Sequence, residues 1–271
     1  MAGDLSPLLQ LAVVLIAAKV CGSLSRYVNQ PEVLGELIVG MILGPSVLGI
    51  IAPQEVFRIL AELGAILLLF EVGLESDIRS LALVGRASTL VAALGSLIPF
   101  LSGYLLFQSL GYGRPASAFL GASMVATSVG ISARVLSDLG KLRAKESRAT
   151  LGAAVIDDVV GLLVLSMVLS LFAGGRFEAQ KILKVVAYVS VFFAVSLGLG
   201  LKIIPAASRM ISEKMKARGA LLSFALAVGI LVGHAAEAIG LAAIIGAFIA
   251  GMLFAETEQK DTIANDVRPL S

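Results

Sequence analysis

The 271-residue chain has no tryptophan, one cysteine, one histidine and little charge, with only 15% of its residues Asp, Glu, Lys or Arg. A single thiol excludes a disulfide scaffold, and Cys21 sits in an apolar run where it reads as a small buried hydrophobe. With 21 Lys and Arg against 19 Asp and Glu there is no basic surplus to neutralise phosphates, so nucleic acid is excluded as a partner. The hydrophobic share is 58% and the mean hydropathy +0.97. A soluble domain is about one half apolar and about one quarter charged. What the chain does have is long apolar sequence punctuated by 28 glycines.

Apolar stretches of roughly 17 to 25 residues can cross a bilayer as helices. The sequence divides into about nine, at 6–27, 33–51, 57–74, 87–110, 116–137, 147–172, 180–201, 219–236 and 239–255. Small residues at helical spacing, as in Gly40-x-x-x-Gly44 and Ala122-x-x-x-Ala126-x-x-x-Gly130, permit close approach of membrane helices. Asp4 precedes the first span where a signal peptide would carry basic residues, so that span reads as a retained helix.

Lys and Arg are unevenly distributed between the two sides. Arg134, Lys141, Arg143, Lys145 and Arg148 follow span five, and Lys202, Arg209, Lys214, Lys216 and Arg218 follow span seven. The opposite loops hold Arg58, Arg114, Arg176, Lys181 and Lys184. The positive-inside rule then puts the N-terminus outside and residue 271 in the cytoplasm. Residues 34–44 (LGELIVGMILG) also align with 245–255 (IGAFIAGMLFA), pairing Gly35 with Gly246, Ile38 with Ile249, Gly40 with Gly251 and Met41 with Met252. Chance likeness between membrane helices accounts for this equally well on sequence alone, but spans two and nine run in opposite senses, as an inverted repeat requires. The expected architecture is an all-α polytopic membrane protein containing a first repeat and the start of a second, with four further helices expected after Ser271.

Asp157 and Asp158 stand in AAVIDDVVGLLVL, with no basic residue between Arg148 and Arg176. A carboxylate at the bilayer centre costs about 2.5–3.5 kcal/mol on insertion scales. From Ser147 the rise per residue places Asp158 about 16 Å along the helix, near the middle of a hydrocarbon core about 30 Å thick. Adjacent positions point about 100° apart, so the two side chains serve different neighbours. Burial and mutual repulsion disfavour two charges at once, so such a pair can exchange a proton for a metal cation, which is what an antiporter needs. Packing by hydrogen-bonded carboxyls is the plainer alternative.

In span five, Thr127, Ser128, Gly130 and Ser132 interrupt the apolar sequence. Beside the aspartates they favour a locally unwound helix whose carbonyls and hydroxyls offer oxygens to a hard cation. Glu71 and Glu75, one turn apart near the cytoplasmic end of span three, are candidate ion-path residues or carboxylates reaching toward the interface or Arg79. Glu36 either pairs with another helix or lines a cavity. His234 reads as an interface residue, and 202–218 as a basic linker helix on anionic headgroups.

The stretches NQPEVLGELIVGMILGPSVLG (29–49), LAELGAILLLFEVGLE (60–75), VATSVGISARVLSDLG (125–140) and LGAAVIDDVVGL (151–162) resemble the bacterial monovalent cation:proton antiporter-2 family, its sodium/proton antiporters in particular. The resemblance implies a multi-pass protein of a prokaryotic plasma (inner) membrane, not an enzyme and without a cofactor, that exchanges sodium or lithium for protons by alternating access. It implies a homodimer in the bilayer with a mobile core. In this reading 1–271 is an incomplete exchanger-type domain in which 57–172 contributes to the core, 6–51 and 219–255 to the dimerisation scaffold, and 180–218 is a linker helix and cytoplasmic loop. Asp158 is then the principal carrier of sodium or protons, and Thr127 and Ser128 belong to the first of two crossing broken helices. Asp157 would pair with a lysine on a later helix. That lysine and the second broken helix are expected beyond Ser271, so residues 1–271 alone are expected to lack half of the site. Glu71 departs from the apolar residue usual in relatives.

Potassium/proton exchange is the nearest alternative, disfavoured because that branch often carries Gln-Asp where Asp157-Asp158 stands. A passive cation channel or a non-transporting scaffold is another class. An intramembrane aspartyl protease would need a Gly-x-Gly-Asp signature, which the chain lacks.

Overall fold

A computed structural model describes residues 6–78, 83–172, 179–215, 217 and 219–269. Arg79, Arg176, Lys216 and Arg218, invoked above, lie outside the described residues, as does Ser271. The described residues form eleven helices and no strand. They are α1 (Pro7–Tyr27), α2 (Glu32–Leu43), α3 (Glu55–Leu74), α4 (Gly85–Ser109), α5 (Arg114–Ser123), α6 (Val129–Asp138), α7 (Lys145–Phe172), α8 (Ala179–Lys214), α9 (Ala220–Glu237), α10 (Ala243–Ala255) and α11 (Lys260–Val267).

Five of them are long and apolar enough to cross a membrane: α1, α4, α7 (through Leu169), α8 (from Ile182) and α9. The apolar α10 is shorter, and α3 carries Glu55, Arg58, Glu62 and Glu71 along its length. Three expected spans take a different form. Span 33–51 stops as a helix at Leu43, because Gly44-Pro45 follows and the residue before a proline is pushed out of helical backbone. Span 116–137 is two helices, α5 and α6, separated by residues 124–128. Span 180–201 and the basic segment after it form one 36-residue helix, α8, which continues through Pro205. At about 1.5 Å per residue it is far longer than a hydrocarbon core about 30 Å thick, so its basic end stands beyond the core.

The likeness of 34–44 to 245–255 extends to whole hairpins. A side chain at Gly35 of α2 would strike the backbone of Cys21 on α1, and one at Gly246 of α10 would strike the backbone of Val232 on α9. Both pairs differ by the same sequence offset. The connecting turns also match: Asn29 and Gly240 both have positive φ (54° and 91°). Gln30 N–H donates to the Ser25 carbonyl at 2.9 Å as Leu241 N–H does to Ala236 at 3.1 Å. Their surroundings differ. Residues Ile245 to Phe254 of α10 are all buried, while Leu34, Leu37, Ile38 and Met41 of α2 are exposed.

α10 is buried because α3 crosses it. Gly73 and Gly251 meet at that crossing with no room for a side chain on either, and Phe70 stacks edge-on against Phe254 with centroids 5.7 Å apart. In lipid such close packing holds helices together where water cannot drive association. α3 therefore packs chiefly on α10 and reaches the 85–172 group through α6, rather than joining it. α4, α5 and α7 form the second packed group, and α1 with α2 leans on it through α6. Exposed apolar side chains along the length of α1, α4 and α8, among them Leu15, Ile98 and Val191, present a hydrocarbon-facing surface.

Candidate ion-exchange site

On α7 the two adjacent aspartates face different surroundings, as helical geometry demands. Asp157 is 7% exposed and turned toward α4, where Ser96 Oγ lies 2.6 Å from its Oδ1. Asp158 is half-buried, and both aspartates border a cavity of about 400 Å³. One wall is α7 itself, through Gly161 and Leu165; another is the end of α5 and the break after it, through Ser123 and Ala126. The third is the turn between α9 and α10, where left-handed Gly240 packs against Leu162. A water occupies about 30 Å³ in the liquid, so the space suits a small cation with part of its hydration shell. Among the described residues no Lys or Arg forms an ion pair with either aspartate. Nor, among the described residues, does any group of three or more His, Cys, Asp or Glu gather there, so a cation would draw on Asp158 and neutral oxygens.

The break beside the cavity follows from local chemistry. Ser128 caps α6 by accepting the Ile131 N–H at 3.3 Å, and Ser132 Oγ donates to the Ser128 carbonyl at 3.3 Å. Thr127 Oγ1 donates to the Val125 carbonyl at 3.4 Å, turning its hydroxyl back onto the loop. Thr127 and Ser128 thus shape the unwound segment, but the cavity wall there is Ser123 and Ala126.

Glu71 and Glu75 lie elsewhere. Arg268 Nη2 donates to Glu75 Oε1 at 3.1 Å, and its Nε stands 3.5 Å from Glu71 Oε1. Both line a polar crevice of about 510 Å³ with Arg26, Arg134 and Asp138. Arg134 Nε approaches Asp138 at 3.2 Å and its Nη2 approaches Glu36 at 3.9 Å, while Arg26 pairs with Glu32. The crevice and the Asp158 cavity share no lining residue. His234 is exposed, 3.9 Å from Glu237.

Residues 13–271 match the family described as sodium/hydrogen exchanger, transmembrane. The chain belongs to that family. Among its relatives, the probable Na(+)/H(+) antiporter GerT of Bacillus cereus is 37% identical over 97% of this chain and 69% of its own length. The Na(+)/H(+)-K(+) antiporter GerN of Bacillus cereus is 38% identical over 97% of this chain and 67% of its own length. The high-affinity Na(+)/H(+) antiporter NhaS3 of Synechocystis is 33% identical over 97% of this chain and 65% of its own length. The chain thus spans about two thirds of these antiporters, and it is a multi-pass, helical membrane protein of a transporter family.

Two polar neighbours of the exchanger's aspartates were not read from the sequence. Ser96 and Ser123 each interrupt an apolar stretch, which is a usable signal in a membrane helix. So do Ser88 and Ser102, and helix periodicity alone does not say which serine meets α7.

Proposed function

We propose that this exchanger-family chain carries an ion-binding site of a sodium/proton antiporter, in which a cation and protons compete for Asp158 with Asp157 as its neighbour. The observation that carries the reading is a half-buried carboxylate facing a cavity, next to a second buried carboxylate and free of any basic partner among the described residues. A cation entering the cavity displaces a proton from Asp158 and takes oxygens from the carboxylate and from Ser123 or the unwound 124–128 backbone. The protein then exchanges the side from which the cavity is wetted, and it does so only when cation or proton is bound.

The moving part in this proposal is α4–α7, and the static, dimer-forming part is α1–α3 with α9 and α10, because α3 is locked to α10 through Gly73 and Gly251. The nine-span topology with an outside N-terminus, the opposite membrane sense of the two hairpins, the homodimer and the plasma-membrane location belong to the same proposal. Glu71 and Glu75 line a cytoplasmic vestibule in which Arg268 pairs with both. Potassium is the second reading, favoured by the name of the GerN relative.

Proteoliposomes with a pH-reporting dye in the lumen test the reading. Sodium and lithium pulses should move protons in the wild-type protein and not in Asp158→Asn. Normal exchange by that variant would overturn the site. A potassium response equal to that of sodium would shift the substrate to the second reading.

A further inference from the structure

A carboxylate on α6 completes the start of α2. The Val33 N–H lies in the first turn of α2, where a backbone donor has no partner within its own helix, and Pro31, which begins the helix, has no hydrogen-bonding side chain to offer. Asp138 Oδ2 accepts that N–H at 3.3 Å, from 105 residues further along the chain. Asp138 is the last residue of α6, the end at which a helix dipole disfavours an anion, whereas the first turn of α2 favours one. Its place therefore suits the junction with α2 better than it suits α6.

Arg134, one turn back on α6, holds the same junction from its other side. Its Nε stands 3.2 Å from Asp138 Oδ1 and its Nη2 3.9 Å from Glu36 Oε1 on α2. The three side chains are between 13% and 26% exposed, so they are largely withdrawn from the water that weakens a surface ion pair. The residues of α6 that are fully buried, Val129 and Ala133, are apolar. An apolar helix face can slide along its neighbour by small steps, so the position of α6 is fixed chiefly by its polar end.

The two matching hairpins differ at this point. The start of α2 holds a carboxylate from α6, while the start of α10 has no side-chain cap and the turn before it borders the Asp158 cavity. In the topology proposed above, these two helix starts lie on opposite sides of the membrane, the α2 junction on the cytoplasmic side.

We propose that Asp138 and Arg134 are positioning residues for the exchange reaction: they latch the end of α6 to the start of α2 and keep the cytoplasmic side shut while the Asp158 cavity lies toward the other side. In each cycle the Asp138–Val33 and Arg134–Glu36 contacts part as α4–α7 moves, and they form again on its return. This rests on the reading of Asp158 as the exchange site and of α4–α7 as the moving part, and the experiment separates the failures.

A reporter cysteine at Ala126 on the cavity wall, in the full chain with Cys21→Ser, is labelled in sealed vesicles by a membrane-impermeant maleimide applied to either face. With the latch intact, labelling should come from the external face. Asp138→Ala should raise labelling from the cytoplasmic face several-fold. Asp138→Asn, which still accepts the Val33 N–H, should stay closer to the parent. In proteoliposomes Asp138→Ala should lower KM for sodium on the cytoplasmic face and raise it on the external face, because the population of the two states shifts. Damage to the fold would not move the two constants in opposite directions. If Asp138→Ala fails to fold, Arg134→Gln makes the same comparison by removing the link to Glu36 alone. An unchanged labelling pattern, an Asp138→Asn variant indistinguishable from Asp138→Ala, or constants that move together on both faces would overturn the latch. Asp158→Asn exchanging normally would overturn only the underlying site, because the labelling is read without transport.

Discussion

Asp157 and Asp158 on α7 have no basic partner among the described residues, whereas Glu71 and Glu75 on α3 share the guanidinium of Arg268. Both are pairs of acids on helices, yet they are suited to different work. A carboxylate with an arginine in contact has its charge balanced in place and gains little from a further cation. One held without a base must be neutralised by a proton, by a mobile cation or by hydrogen bonds, and two of these can be exchanged. The difference teaches that in such a membrane helix the acidic residue type marks a site less reliably than the absence of its counter-charge.

That contrast can be broken from either side. Asp158→Asn removes the exchangeable group, and sodium-driven proton movement in proteoliposomes should fall to the level of protein-free vesicles. Nearly as large is the effect of supplying the missing counter-charge. Ser123→Lys places an ammonium on the cavity wall opposite Asp158 and should silence exchange, while the uncharged Ser123→Met of similar length keeps a substantial rate; equal activity in both would show that charge balance is not what matters. Asp157→Asn should slow exchange roughly tenfold, about 1.4 kcal/mol in barrier, and change the charge moved per cycle, read as the dependence of the rate on an imposed membrane potential. Smallest is the effect on the paired glutamates. Arg268 is 62% exposed, so Arg268→Gln should cost about 1 kcal/mol or less in a detergent melting experiment and leave the exchange rate within about twofold.

What the sequence shows of the candidate site is its local chemistry. Two acids in a run without bases signal a cost that must be offset, and Thr127, Ser128 and Gly130 together signal a helix that gives up its ladder, which α5 and α6 do. Thr127 and Ser128 lie in and beside that break, where Ser128 caps α6 and the Thr127 hydroxyl donates to the Val125 carbonyl, and Ser123 and Ala126 line the cavity. Ser96 was illegible because its role depends on which face of α4 meets α7, sixty-one residues further on. Span 33–51 was overlong because hydropathy does not register the backbone restriction at Gly44-Pro45. The α3–α10 crossing at Gly73 and Gly251 joins segments far apart in the chain, and no periodicity within either helix shows it.

By itself the sequence determined the solvent this protein lives in and its helical class. Apolar length, charge placement and a fixed rise per residue are properties of single segments. The tertiary structure decided which aspartate meets Ser96, why α10 is buried while the matching α2 lies open, and why Glu71 and Glu75 share a guanidinium 193 or more positions away. Each of those depends on helices from distant parts of the chain approaching within a few ångströms, and no periodicity within one helix encodes its partner.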